Sequence, residues 1–205
     1  ITIIDTYIQY LVGVLFLRPG RIFIILHLPI LAILNIFGLV TDQDLKLRFL
    51  KSIAGGIQRD RLQRWTKIFV RFQMLFNTRR KAIEKLDYHK SQGDILVLAS
   101  ASFDFYVRPI AHFLKFDYVI STKSCWTKDG KLIPEINGNN LKGEYKLNEI
   151  KRILGDKIHK TNSIVYTDHI SDLPLLEFAN EAYVVNPNRQ MKTTAAYKNF
   201  IILKW

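Results

Sequence analysis

The run ILVLAS closes on a hydroxyl at Ser100, the run SIVYTD closes on a carboxylate at Asp168, and a second carboxylate follows at Asp172. Groups at the carboxyl ends of strands in an open parallel sheet face the crevice where ligands bind. The Ser100 hydroxyl and the amides after it, beginning with Ala101, can hold a phosphate where the next helix starts. Ser100 and Ser102 can equally serve as helix caps. Asp168 and Asp172 offer hard oxygens for a divalent cation, which for so few carboxylates, with several waters retained, points to Mg²⁺. The plainer alternative makes Asp172 a helix cap and Asp168 a surface acid in a turn. Lys146, in LKGEYKLNEI, stands at a helix start, where an ammonium can neutralise an anionic intermediate. Lys142 competes for that role, and a solvated lysine is the default for both.

The elements that must position these groups alternate between strand and helix. A helix to Lys90 and a turn at Gly93 lead to ILVLAS, then to a helix through Ile110 and Leu114 and to a strand YVIS. A hairpin over 128–133 turns at Asp129-Gly130, and a helix over 146–154 is stopped by Gly155. The strand SIVYTD, a helix over 172–179 and a strand AYVVN complete the series. This order predicts an α/β fold with a parallel sheet covered by helices on both faces. Before it lies an all-helical stretch, so the expected domains are a core of 1–9 and 86–205 and a helical insertion of 10–85. Thr41 is placed to cap a helix carrying Leu45, Phe49, Leu50 and Ile53 that stops at Gly55-Gly56. Leu62, Trp65, Phe69, Phe72 and Phe76 recur at helical spacing, which predicts a stripe packed on neighbouring helices.

Charge and hydropathy narrow the partners. The 205 residues carry a net charge of +12, with 15 basic against 6 acidic residues in 1–90 and 15 against 12 in 91–205. An anionic partner is implied, and the excess sits in the helical part. Residues 22–40, IFIILHLPILAILNIFGLV, contain no formal charge, although His27, Pro29 and Asn35 interrupt them. They are compatible with short helices at a membrane interface, with plain core packing, or with a span at the short limit of length. Basic residues on both sides of the run (Arg18, Arg21, Lys46, Arg48) favour dipping into an anionic interface from one side. Aromatic residues among basic ones can also stack on single-stranded nucleic acid, but no nucleic-acid motif accompanies them and that partner is not expected. Cys125 has no cysteine to pair with. It is read as an inert thiol in a reducing compartment, which places the protein in the cytoplasm or at the cytoplasmic face of the membrane.

Taken together, these segments resemble the haloacid dehalogenase (HAD) superfamily of phosphatases, in the phosphoserine-phosphatase-like subfamily with a small helical cap. VLASAS is similar to its second motif, GEYK to its third, and YTDHISDLPLLEFA to its fourth, with Thr167 standing where glycine is usual. VVNPNRQMKTTAAYKNFIILKW resembles the closing segment of these proteins. Members such as phosphatidylglycerophosphatase C are similar in having a long apolar cap segment. The resemblance implies a Rossmann-like core, and a Mg²⁺-dependent phosphomonoesterase that works through an aspartyl-phosphate. Ser100, the Ala101 amide and Lys146 would hold the phosphoryl group. Asp168 would hold the metal, with Asp172 as a ligand directly or through water, and the cap would select the leaving group.

The family's first motif, D-x-D-G-T, supplies the aspartate nucleophile and the general acid, and this sequence has no copy of it. ITIIDTYIQYL resembles the segment immediately after that motif in family members, so the chain is expected to be truncated just before Ile1 and nearly inactive as it stands. Asp5 lacks the second aspartate two residues on and is a poor substitute. The alternative is a non-catalytic relative that binds phosphorylated or anionic-lipid partners. For the active form, the expected substrates are phosphorylated small molecules or lipid phosphates, with the lipid favoured.

Overall fold

The computed structural model describes residues 6–21, 23, 28–159 and 162–205. Asp5 and much of the first half of the apolar run, including Ile24, Ile25 and Leu26, therefore lie outside the described residues. The chain packs as two compact units, one formed by 1–78, 102–115 and 122–140, the other by 79–101, 116–121 and 141–205.

The first unit is mainly helical. It begins with α1 (Thr6–Phe16), α2 (Leu28–Ile36), α3 (Asp42–Ile53) and α4 (Arg59–Phe76). Thr41 caps α3 by accepting from the Asp44 amide, as its position in the sequence predicts. The α1 and α4 helices pack through a polar and aromatic seam. The Tyr10 hydroxyl meets Thr66 Oγ1 at 2.7 Å, and the Tyr10 ring stands edge-on to Phe69 at 4.9 Å. Gln9 Oε1 accepts from Gln73 Nε2 at 2.7 Å and Asn77 Nδ2 at 2.8 Å. These bonds decide which side of α4 is covered. Leu62, Thr66, Phe69, Val70 and Gln73 are buried, whereas Phe72 and Phe76, expected in the packed stripe, are exposed. The seam is turned toward Thr66 and Gln73 because their polar groups find partners on α1, which leaves the last two aromatics outside.

The α2 helix has nine residues, about 14 Å of helix against the roughly 30 Å of a hydrocarbon core. No helix among the described residues is long and apolar enough to cross a membrane. The same unit contains α6 (Asp104–Phe113) and the antiparallel pair β3 (Ser124–Trp126) and β4 (Leu132–Ile136), with Gly130 in the turn at φ +77°. Cys125 is half-buried in β3, and its thiol is pushed up by burial and then by Glu135 and Asp104. That disfavours the reactive thiolate and agrees with an inert role.

The second unit carries α5 (Arg80–Ser91), α7 (Glu144–Leu154), α8 (Leu173–Phe178) and α9 (Arg189–Tyr197). Its strands β5 (Ile164–Thr167), β6 (Glu181–Val185) and β7 (Ile201–Leu203) form a parallel sheet in that order. Sequence patterning assigns neither α9 nor β7. Asn188 starts α9 by accepting from the Met191 amide at 2.8 Å. Leu147, Ile150 and Leu154 of α7 pack with Ile120, Leu141 and Leu175, while Leu176 packs with Val184, Met191 and Ala195. These two clusters fix α7 and α8 in this unit. Strands β1 (Val97–Phe103) and β2 (Tyr118–Thr122) pair in a separate sheet among the described residues.

The first strand runs three residues beyond Ser100, so Ser100 and Ser102 lie within it. Neither serine caps α6, whose N-cap position is Phe103 with no side-chain cap. The alternation of apolar residues continues through Ala101 and Phe103, which is why pairing extends past the first hydroxyl.

Candidate active site

At the carboxyl end of β5 the chain passes from Thr167 to an exposed Asp168 and then into a single 3-10 turn over Ile170–Asp172. His169 sets that turn, its Nδ1 accepting from the Ser171 amide at 3.0 Å. The turn carries Asp172 inward, where it is buried. Asp172 occupies the N-cap position of α8 but makes no side-chain cap bond. Its carboxylate is committed elsewhere, which overturns the capping alternative.

The Lys146 Nζ donates to Asp172 Oδ1 at 2.5 Å. Thr167 Oγ1 donates to Asp172 Oδ2 at 2.8 Å and accepts from the His169 amide at 3.3 Å. Lys146 is 5% exposed and Asp172 9%, so this is a desolvated ion pair with one further hydrogen bond on the carboxylate. It reaches across two elements because Gly143, at the N-cap of α7, adopts φ +61°. A Cβ there would sit 3.6 Å from the Ser171 carbonyl oxygen, and the backbone itself would be strained. The glycine thus sets where α7 begins, beside the turn that carries Asp172.

Of the residues singled out in the sequence, Lys146 and Asp172 are in direct contact, and Asp168 is the exposed carboxylate four residues before Asp172. Ser100 and Ala101 lie on β1, half-buried, and Lys142 is half-buried just before α7. No group of three or more His, Cys, Asp or Glu side chains suited to a metal is present among the described residues. Sequence reasoning leaves the hydroxyl of Thr167 and the ring of His169 unassigned. The signal for the first is the departure from glycine at 167. For His169 no signal exists, because its role is a local turn bond. A depression of about 300 Å³ involving Asn180, Glu181 and Lys198 lies at the amino ends of β6 and β7, at the other end of the sheet from Asp168.

An ammonium has three donors, and one of those on Lys146 is used by Asp172. Among the described residues the others remain for anionic oxygens, and the carboxylate holds the amine in place. Asp168 could add a hard oxygen ligand. A fixed cation beside an exposed carboxylate at strand ends is the equipment of phosphoryl chemistry.

The chain is similar to several known proteins. A probable phosphatase of Mycobacterium tuberculosis (strain ATCC 25618 / H37Rv) is 30% identical over 126 residues, covering 61% of this chain and 43% of the relative. The chain thus spans less than half the length of that protein. A protein of unknown function from Bordetella pertussis Tohama I superposes with a TM-score of 0.81 at 21% identity, over 98% of this chain and 92% of the other. A probable phosphoserine phosphatase from Vibrio cholerae superposes with a TM-score of 0.72 at 12% identity, over 96% of this chain and 56% of the other. At those identities the two structures establish a shared fold alone. Residues 2–177 match the family described as haloacid dehalogenase-like hydrolases, and the chain belongs to that family.

Proposed function

We propose that this protein is a Mg²⁺-dependent phosphomonoester hydrolase, with lipid phosphates as the favoured substrates, acting at the cytoplasmic face of the membrane. The observation that carries the reading is the buried Lys146–Asp172 pair beside an exposed Asp168 at the end of β5. Family membership supports hydrolysis of a phosphoester.

The donor set fits a magnesium ion. Mg²⁺ is commonly bound through one or two carboxylates, retained waters and the substrate's own phosphate. Asp168 would be the direct ligand. Asp172, with one oxygen taken by Lys146 and the other by Thr167, would reach the ion through water. Mg²⁺, when bound, supplies positive charge that offsets the phosphoryl oxygens. Lys146 would direct its remaining donors to those oxygens, and the Ser100 hydroxyl with the Ala101 amide would hold another. The helices of 10–85 would act as the cap that excludes water and selects the leaving group.

The chemistry also needs a nucleophile, expected to be an aspartate that forms an aspartyl-phosphate. This sequence carries no D-x-D-G-T, so the chain alone is expected to be nearly inactive; the second reading is a non-catalytic phosphate-binding relative. A D-x-D-G-T segment joined ahead of Ile1 separates the two. The enzyme reading predicts hydrolysis of a water-soluble aryl phosphate that is lost with EDTA and with Asp168→Asn. It also predicts a loss on the order of 100-fold for Lys146→Ala, larger than for Lys142→Ala. Hydrolysis indifferent to EDTA and to Asp168→Asn sinks the assignment, and no hydrolysis at all leaves the binding protein.

A further inference from the structure

The α1 and α4 helices leave an apolar face uncovered, and its place in the fold identifies a partner. Gln9 bonds Gln73 and Asn77, Gly13 lies against the Trp65 ring, and the Leu17 carbonyl accepts from Arg61. These contacts run the two helices antiparallel. Tyr10 with Thr66 and Phe69 lies on the underside of the seam, where the Tyr10 ring stacks on Tyr106 of α6 at 4.8 Å. At about 100° per residue, Ile8, Val12 and Phe16 fall on the side of α1 turned away from Tyr106. Ile68, Phe72 and Leu75 fall on the corresponding side of α4, so the two rows form one surface. All six are exposed, Phe16 to 82% and Leu75 to 75%.

Basic residues border this surface. Arg64, Lys67 and Arg71 are exposed along the outer flank of the α4 row, and none of them makes an ion pair among the described residues. The α1 helix has no acidic residue, and α4 has only Asp60 in its first turn. We propose that this face is a docking surface for an anionic lipid bilayer, with the apolar rows entering the headgroup boundary and the basic row meeting lipid phosphates. A second copy of the chain fits less well, because it would bring an identical row of cations with no acids to meet them. A nucleic acid would leave the apolar rows in water.

The surface deepens the phosphatase reading by bringing the protein to lipid phosphates, but it is tested without turnover. The intact chain is floated with phosphatidylcholine vesicles that contain or lack phosphatidylglycerol. Binding to the anionic vesicles that weakens with salt is expected. Phe72→Ser with Leu75→Ser, both at exposed positions, should lower partitioning by roughly tenfold or more. Arg64→Gln and Arg71→Gln should lower it by about fivefold each, the equivalent of about 1 kcal/mol per basic residue near the surface. Circular dichroism establishes that each variant is folded. The proposal is overturned by equal binding to both vesicle types, by binding to neither, or by variants that bind like the parent. It is also overturned if light scattering shows a dimer that the Phe72/Leu75 variant dissolves. A chain that docks but, with the nucleophile segment joined, hydrolyses nothing retires the phosphatase reading alone. One that hydrolyses a soluble ester but does not float retires the docking surface alone.

Discussion

Replacing Lys146 by methionine should destabilise the protein severely, and the structure gives the size of the effect. The ammonium and the Asp172 carboxylate are 2.5 Å apart, with side chains exposed to 7% and 12%. Methionine preserves most of the stem but leaves a buried carboxylate with, among the described residues, only the Thr167 hydroxyl as donor. Breaking a buried pair from one side costs about 3–5 kcal/mol. For a chain of this size that lowers the melting temperature by roughly 6–20 °C. Asp172→Asn should be comparably harmful, because it strands the ammonium. The two substitutions together remove both charges and keep the acceptor for Thr167. The double variant should therefore recover about 2–3 kcal/mol relative to the sum of the singles. Urea unfolding followed by far-ultraviolet circular dichroism measures all four proteins. Lys146→Met within about 1 kcal/mol of the parent, or a double variant equal to the sum of the singles, would refute the account of a desolvated, mutually dependent pair.

Lys46 gives a pH test: burial lowers it from the ordinary 10.5 to about 8. The folded value lies below the unfolded one, so the unfolded chain binds more protons between them and stability should rise with pH from about 8 toward 10.5. Lys46→Met should flatten that rise in urea midpoints, and equal profiles for parent and variant contradict it. Gly13→Ala would place a Cβ 1.9 Å from Trp65 Cζ2, about half of a normal carbon–carbon contact. Overpacking of about 1–3 kcal/mol should outweigh the roughly 1 kcal/mol gained from alanine in a helix, so a variant more stable than the parent is the contrary result. Thr167→Val should cost about 1–2 kcal/mol through loss of the donor to Asp172, and Thr167→Ser should restore most of it in the same assay.

What the sequence disclosed depended on whether a signal was local. Thr41, the Asp129-Gly130 turn and Gly155 act on their immediate neighbours, and each appears in the fold where its chemistry predicts. The apolar run SIVYTD and the acids after it likewise locate the end of β5. Periodicity on α4 reveals a helix but not which side is covered, since that is set by Gln9 and Tyr10 more than fifty residues earlier in the chain. The α9 helix is short and its apolar positions sparse, and β7 is only three residues long. Both depend on packing against β6 and its neighbours rather than on a pattern of their own. Ser100 reads as a strand terminus because two serines interrupt an apolar run, yet pairing carries on to Phe103. The partnership of Lys146 with Asp172 is invisible to spacing, because the residues are 26 apart in sequence and meet only through the turn at His169 and the start of α7 at Gly143.

The geometry assigns different work to the two acids that look alike in the sequence. Asp172 has a partner on each oxygen and is matched in charge by Lys146, so it adds nothing to the local charge and serves to hold the ammonium. Asp168, exposed and one residue past the strand, leaves these three ionisable side chains with a sum of minus one. A phosphomonoester dianion would be repelled by that sum. A divalent cation on Asp168 would reverse it to plus one, and would do so beside the donors that Lys146 has left. Under the proposed reading, this arithmetic of fixed charges is what a metal would answer. Thr167 bears on the same proposal: its hydroxyl ties down one oxygen of Asp172, so under that reading Asp168 rather than Asp172 would be the direct ligand.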